Sequence, residues 1–310
     1  MHGAGVLHLI GRTPLVELRH CSPKPGVRLF AKLEGFNPTG SLKDRIVLAM
    51  IERARREGAL RPGDTIVEAS TGNTGISLAM IGRALGYRVK IVAPENIFPE
   101  IPRMLAVYGA EVVWVPAELG VPEAIRVAGE IARTEGTLML DQFSNDANCR
   151  AHYETTGPEI LADLPEVDVL VAGVGTGGTI MGAGSFLKER RPGVRLVAVE
   201  PHPGSHLQGL TTLAEGFIPP LLDLDLLDAK ILVRSSSAFI AAAEVMRREG
   251  IFAGVSSGAV LHAGMKFARR LDRGNVVLIF ADAGWKYLGT NLWTAPPHPE
   301  EESLDDTIWW

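Results

Sequence analysis

Cysteine is nearly missing from this chain of 310 residues: only Cys21 and Cys149 occur. They form no C-x-x-C pair and no disulfide framework, and neither sits in a local catalytic motif. Long apolar runs are missing too. None approaches the ~18–20 residues of a membrane span. Basic tracts are scarce. RARR at 53–56 is the densest, and it reads as the solvated face of a helix rather than a nucleic-acid patch. The N-terminus MHGAGVLHLIGRTPLVEL has no charged segment ahead of an apolar one, so no secretory signal is expected. No metal is expected. These absences predict a reduced, soluble, cytoplasmic protein that binds neither nucleic acid nor membrane.

What is present is ordinary globular composition, 46% hydrophobic and 22% charged with a net charge of -5, in a chain long enough for two domains that share a cleft. Strand and helix patterns alternate. Strands are expected at 28–34, 65–70, 88–94, 111–116, 167–174, 195–200 and 275–282. Helices are expected at 42–57, 74–85, 99–109, 121–135, 155–162, 179–190, 236–249 and 257–271, with a long loop before 155. The strands are short, β-branched and apolar throughout, as strands buried on both faces of a parallel sheet are. The fold class is α/β: two doubly wound βαβ domains with a cleft between them. Ligands in such folds bind beyond the carboxyl ends of the strands.

Four segments lie at such ends. NPTGSLKDR (37–45) opens a helix. Ser41 is a good N-cap, Asp44 completes a capping-box variant, and Gly58 closes the helix. Lys43 then lies in the first turn, where the helix dipole disfavours a cation by ~0.3–1 kcal/mol. STGNTG (70–75) exposes backbone N–H groups at a helix start, an anion site without the lysine of a nucleoside-triphosphate loop. GVGTGGT (173–179) fits G-x-G-x-x-G through Gly173, Gly175 and Gly178, with Glu200 ending the next strand. It reads either as a dinucleotide fingerprint or as a cradle for one phosphate. GVSSGAV (254–260) sets Ser256 at a helix start. A dinucleotide uses only the third segment. Pyridoxal 5'-phosphate uses all four: a lysine for its aldehyde, a phosphate cup, a donor to its 3'-oxygen and a partner for its ring nitrogen.

These motifs, with DQFSNDAN, HYETTGPEI and DAGWKYL in the same order, resemble the cysteine synthase branch of the fold-type II pyridoxal-phosphate enzymes, a tryptophan synthase β-like fold. The resemblance runs from IGRTPLVEL (10–18) to DAGWKYLGT (282–290). It implies that Lys43 carries the cofactor as a Schiff base and moves the substrate's α-proton. It implies Asn73 at the 3'-oxygen, and Gly175, Thr176, Gly177, Gly178 and Thr179 around the phosphate. Ser256 faces the ring nitrogen. Ser70, Thr71, Gly72, Thr74 and Gln142 hold the substrate's α-carboxylate. It further implies a larger cofactor domain (1–36 plus 146–295), a smaller mobile domain (37–145), a tail (296–310), a homodimer and, in one sub-branch, a sulfur-carrier protein.

The implied reaction is β-replacement, making L-cysteine from an O-activated L-serine and sulfide or a sulfide carrier through an aminoacrylate. Cystathionine β-synthase, serine/threonine deaminase and cysteine desulfhydrase activities share the scaffold. A dinucleotide-binding oxidoreductase and a catalytically silent binding protein are the rivals of another class. STGNTG departs from the family's TSGNTG. The short segment 201–219 resembles the sub-branch that includes O-phosphoserine users, yet it contains no arginine, so acetyl and phosphate leaving groups both stand open. The tail, ending ESLDDTIWW, has two readings. It is a solvated acidic end, or Ile308–Trp310 docks on the body, with a lid over the cleft as the sharper form.

Overall fold

The computed structural model describes residues 5–205, 207–213, 218–289, 293 and 308–309. In chain order the strands are β1 (Leu15–Glu17), β2 (Val27–Leu33), β3 (Thr65–Ala69), β4 (Arg88–Pro94), β5 (Glu111–Val115), β6 (Leu138–Met139), β7 (Val169–Gly173), β8 (Arg195–Pro201), β9 (Ala229–Val233), β10 (Gly274–Phe280) and β11 (Ile308–Trp309). The helices are α1 (Lys43–Arg56), α2 (Asn73–Leu85), α3 (Glu100–Tyr108), α4 (Gly120–Glu135), α5 (Ala147–Ala151), α6 (Gly157–Asp163), α7 (Gly178–Arg190), α8 (Ser235–Glu249) and α9 (Val255–Ala268).

Two sheets form. One has four parallel strands in the order β5-β4-β3-β6, the other seven in the order β1-β2-β10-β7-β8-β9-β11. In the larger sheet only the edge strands β1 and β11 run antiparallel. Alternation along β7 divides the core in two. Val169 and Val171 enter one apolar cluster and Leu170 and Ala172 another, so both faces of the sheet are covered. The smaller sheet does the same, with Ile66 on one side and Val67 and Ala69 on the other. Each fully buried leucine or valine of this kind contributes about 1.5–3 kcal/mol.

Four local expectations change. Ser41 is not a capping hydroxyl of normal strength: it reaches the Lys43 N–H only at 3.4 Å. Asp44 does not turn back to the helix start. It accepts from the Thr39 N–H at 2.8 Å and from the Ser77 hydroxyl at 2.6 Å, knitting α1 to α2. The last part of the expected loop before 155 is helical. Asn145 accepts from the Ala147 N–H at 3.1 Å, α5 begins there, and a π-turn at His152–Thr156 carries the helix into α6. The strands β1, β6, β9 and β11 also lie outside the sequence expectations; β6 has two residues and β1 three, too short for periodicity. Ile308 pairs with Ile231 and Trp309 with Lys230, so these two residues extend the sheet at its β9 edge rather than cover the cleft. Trp310 and the rest of the tail (296–307) lie outside the described residues.

A buried ionic cluster ties α1 to the larger sheet. Arg45 donates to both oxygens of Glu34, at 2.7 and 2.9 Å, and to both oxygens of Glu159, at 2.7 Å each. Lys32 adds a 2.8 Å ion pair to Glu159 and donates to the Thr13 carbonyl at 2.6 Å. Burial alone would raise the Glu159 carboxyl, but hydrogen bonds and charge from Arg45, then from Lys32, outweigh it and hold the pKa at about 2. A depressed carboxyl stabilises the fold fully above its ordinary pKa and loses that contribution as pH falls toward the folded value. Urea titration of Arg45→Met is therefore expected to show a loss of about 3–5 kcal/mol at neutral pH, because Glu34 and Glu159 are left without their cation. The deficit should shrink as pH falls from about 4.5 to about 2. A deficit independent of pH would assign the loss to packing.

Candidate active site

Lys43 opens α1 at the end of a loop whose shape is set from the other sheet. The Leu42 N–H donates to the Ala281 carbonyl at 2.9 Å, and the Ala283 N–H to the Gly40 carbonyl at 3.0 Å. Gly40 has a φ of +80°, and a Cβ there would come within 2.7 Å of the Trp285 ring. Lys43 is half-buried, and burial pulls its pKa down to about 8. This is the direction expected of an amine at a helix start, and burial supplies it.

The STGNTG turn links β3 to α2. Ser70 Oγ accepts from the Gly72 N–H at 3.2 Å and the Gly75 N–H at 2.9 Å, so this hydroxyl braces the loop from inside. Thr74 Oγ1 donates to Gln142 Oε1 at 2.7 Å, and Gln142 Nε2 donates to the Ala69 carbonyl at 3.2 Å. The backbone N–H groups of Thr71, Asn73 and Thr74 make no hydrogen bond to another described residue. They form an anion site at a helix start. Ser70, Thr71, Gly72, Thr74 and Gln142 are thus brought together, with Thr71 left as the hydroxyl not used by the loop.

The GVGTGGT turn joins β7 to α7. The N–H groups of Gly175, Thr176, Gly177 and Thr179 have no acceptor among the described residues. Asn148 Nδ2 donates to Thr176 Oγ1 and to the Gln142 carbonyl, both at 2.9 Å, which fastens this turn to the previous one. Thr179 Oγ1 meets His152 Nε2 at 3.2 Å, and His152 Nδ1 meets Thr156 Oγ1 at 2.8 Å. Burial, then the charges of Arg45 and Lys43, push His152 well below its ordinary pKa, so it serves as a neutral brace. A Cβ at Gly175 would lie 2.5 Å from the Gly209 carbonyl oxygen, and one at Gly178 would strike Asn148 Oδ1. A nest of unbonded N–H groups walled this closely fits one phosphate.

It does not fit a dinucleotide. Glu200, the acid a ribose would need, is fully buried. Its carboxylate is taken by Lys230 at 2.8 Å and by the Leu213 N–H at 2.5 Å.

Ser256 is the second residue of α9 and is 5% exposed. Its hydroxyl makes no hydrogen bond to another described residue. Beside it lies a cluster that sequence reasoning left without a role. Asn73 Nδ2 donates to Asp282 Oδ2 at 2.7 Å, and Lys286 Nζ donates to Asn73 Oδ1 at 2.6 Å. Tyr287 OH donates to the same Asp282 oxygen at 2.7 Å. Burial raises the Asp282 carboxyl and the Tyr287 phenol and lowers the Lys286 amine. The signal was available in DAGWKYL: an acid just beyond the carboxyl end of β10, with Lys and Tyr four and five residues on.

Comparison with known proteins agrees with this geometry. The sequence profile of the family "Pyridoxal-phosphate dependent enzyme" matches residues 6–282. A cysteine synthase of Staphylococcus aureus is 42% identical over 302 residues, covering 93% of this chain and 96% of its own. Among solved structures, O-ureido-L-serine synthase superposes with a TM-score of 0.90 at 36% identity, over 96% of this chain and 98% of its own. A cysteine synthase from Entamoeba histolytica gives 0.90 at 35% identity, over 96% and 93%. A hydrogen sulfide-producing enzyme from Fusobacterium nucleatum gives 0.88 at 36%, over 92% and 100%. With its profile matched over most of its length and relatives of this likeness, the chain belongs to the pyridoxal-phosphate dependent enzyme family.

Proposed function

We propose that this enzyme makes L-cysteine by β-replacement on an O-activated L-serine, with sulfide or a carrier-bound sulfide as the incoming nucleophile. The observation that carries the reading is the pairing, at one cleft, of a burial-depressed lysine with two separate nests of unbonded N–H groups. One nest suits the phosphate of the cofactor, the other the carboxylate of an amino acid. When bound, pyridoxal phosphate supplies a sink for the electron pair left on the substrate's α-carbon.

The chain's own residues then divide the work. Lys43 would hold the cofactor, and its burial-depressed amine would move the substrate's α-proton. Gly175, Thr176, Gly177, Gly178 and Thr179 seat the phosphate. Thr71, Asn73 and Thr74 offer N–H groups to the α-carboxylate, with Gly72 giving the turn its reach and Ser70 and Gln142 bracing it. Asn73 also donates to the ring's 3'-oxygen. Ser256 would meet the ring nitrogen with a neutral hydroxyl rather than an acid, an environment that would suit elimination over transamination. We place the moving domain at 37–145, against a larger one of 1–36 and 146–295. We further propose a cytoplasmic homodimer that takes sulfur from sulfide or a sulfur-carrier protein. The family resemblance supports the dimer, and two free cysteines support the reducing compartment.

Two experiments test this reading. The holoenzyme is offered O-acetylserine, O-phosphoserine, serine and cysteine, each with and without sulfide. Cysteine formed from an O-activated serine is the expected product. Pyruvate alone from every substrate, or sulfide released from cysteine as the sole activity, would replace β-replacement with deamination or desulfhydration. The second follows covalent capture of the cofactor by apoprotein. An ammonium has no lone pair, so the capture rate should rise as pH climbs through about 8 and level off above it. Lys43→Ala should show no capture. A rate unchanged across that pH, or capture by Lys43→Ala, would place the reactive amine elsewhere.

A further inference from the structure

The Asn73 amide has two ends alike in shape and opposite in chemistry: an oxygen that only accepts and an NH2 that only donates. Both ends are held by the segment just beyond β10. The Lys286 ammonium donates to Oδ1 at 2.6 Å, and Nδ2 donates to the Asp282 carboxylate at 2.7 Å. An ammonium cannot accept and a carboxylate cannot donate. The pair therefore admits one orientation of the amide. A turned amide would set carbonyl against carboxylate and NH2 against ammonium.

We propose that Lys286, together with Asp282, is a positioning residue that locks Asn73 so that its second N–H, and never its carbonyl, faces the cofactor's 3'-oxygen. This rests on the role given to Asn73 above. The surroundings are built for it. Lys286 and Asp282 are each 2% exposed, and burying an ammonium and a carboxylate together is costly unless the geometry is well satisfied. Tyr287 OH holds the same Asp282 oxygen at 2.7 Å, which fixes the carboxylate in turn. The Lys286 ammonium lies 5.5 Å from the Trp285 ring centroid. Gly40 leaves room for both: a Cβ there would come within 2.7 Å of Trp285 and 3.3 Å of Lys286 Cε. Asn73 opens α2 and Gly40 lies just ahead of α1, whereas Asp282 and Lys286 follow β10 of the larger sheet. The lock therefore spans the cleft as well as orienting the amide.

The test is the affinity of apoprotein for pyridoxal phosphate, read by titration of protein fluorescence, with the thermal midpoint of each apoprotein as the check on folding. Asn73→Ala and Lys286→Met should each weaken binding roughly tenfold or more. The double variant should be no weaker than Asn73→Ala alone, since Lys286 acts through the amide. Lys286→Arg, a donor only, should bind nearly as the parent does, and Lys286→Gln, which donates or accepts, should fall between. Should Lys286→Met fail to fold, Lys286→Gln in the two backgrounds makes the same comparison. Equal losses from Lys286→Met with and without Asn73, or unchanged affinity in a folded Lys286→Met, would overturn the lock. Unchanged affinity in Asn73→Ala would overturn instead the role of Asn73 on which it rests.

Discussion

Asp282 is the point at which the cleft is held together. Its backbone carbonyl accepts from the Gly254 N–H at 3.0 Å, just ahead of α9. Its backbone is bridged to Ser41, just ahead of α1. Its side chain accepts from Asn73, the first residue of α2. Three helix starts are therefore referred to one residue beyond the carboxyl end of β10. Asn148 adds the fourth by joining Gln142 to Thr176 ahead of α7. Each helix start leaves its first N–H groups without an intrahelical acceptor. Bringing four of them to one place makes a region rich in backbone donors, which favours bound anions.

The electrostatics of the cleft follow from that construction. The two anion sites rest on backbone N–H groups and hydroxyls, so no fixed cation is needed beside either. Titratable groups are then left to chemistry and to bracing. Lys43 is lowered to about 8 by burial. His152 is held neutral behind the GVGTGGT turn. The full charge of Arg45 is spent away from the anion sites on Glu34 and Glu159, where it anchors the helix that begins with Lys43. A site assembled from neutral donors can grip a phosphate and a carboxylate while leaving one amine reactive.

Much of this was legible along the chain because it is local. Glycines and hydroxyls between a strand and a helix announce an N–H nest before any tertiary contact is known, and Lys43 stood out against helix rules. The dinucleotide alternative was also a local inference, and it failed for a tertiary reason: Glu200 is committed to Lys230 and Leu213. Asp44 matched a capping pattern, but Thr39 and Ser77 compete for its carboxylate more effectively than the helix start does. Ser70 reads in the sequence as a ligand contact, and its hydroxyl oxygen also accepts from two N–H groups of the turn itself. The roles of Asp282 and Lys286 needed pairing between residues more than two hundred positions apart, which no spacing rule reveals. β9 has Asp228 just ahead of it and Lys230 inside it, which breaks the apolar run, and the two residues of β11 carry no period.

Two lysines with lowered amine pKa values stand beside this cleft, half-buried Lys43 and buried Lys286, and cofactor attachment is assigned to only one of them. Borohydride reduction of the holoenzyme followed by peptide mass mapping decides between them. The account predicts a pyridoxyl group on Lys43, within NPTGSLKDR, and an unmodified Lys286. A label on Lys286, or no label on Lys43 in cofactor-saturated enzyme, would contradict it.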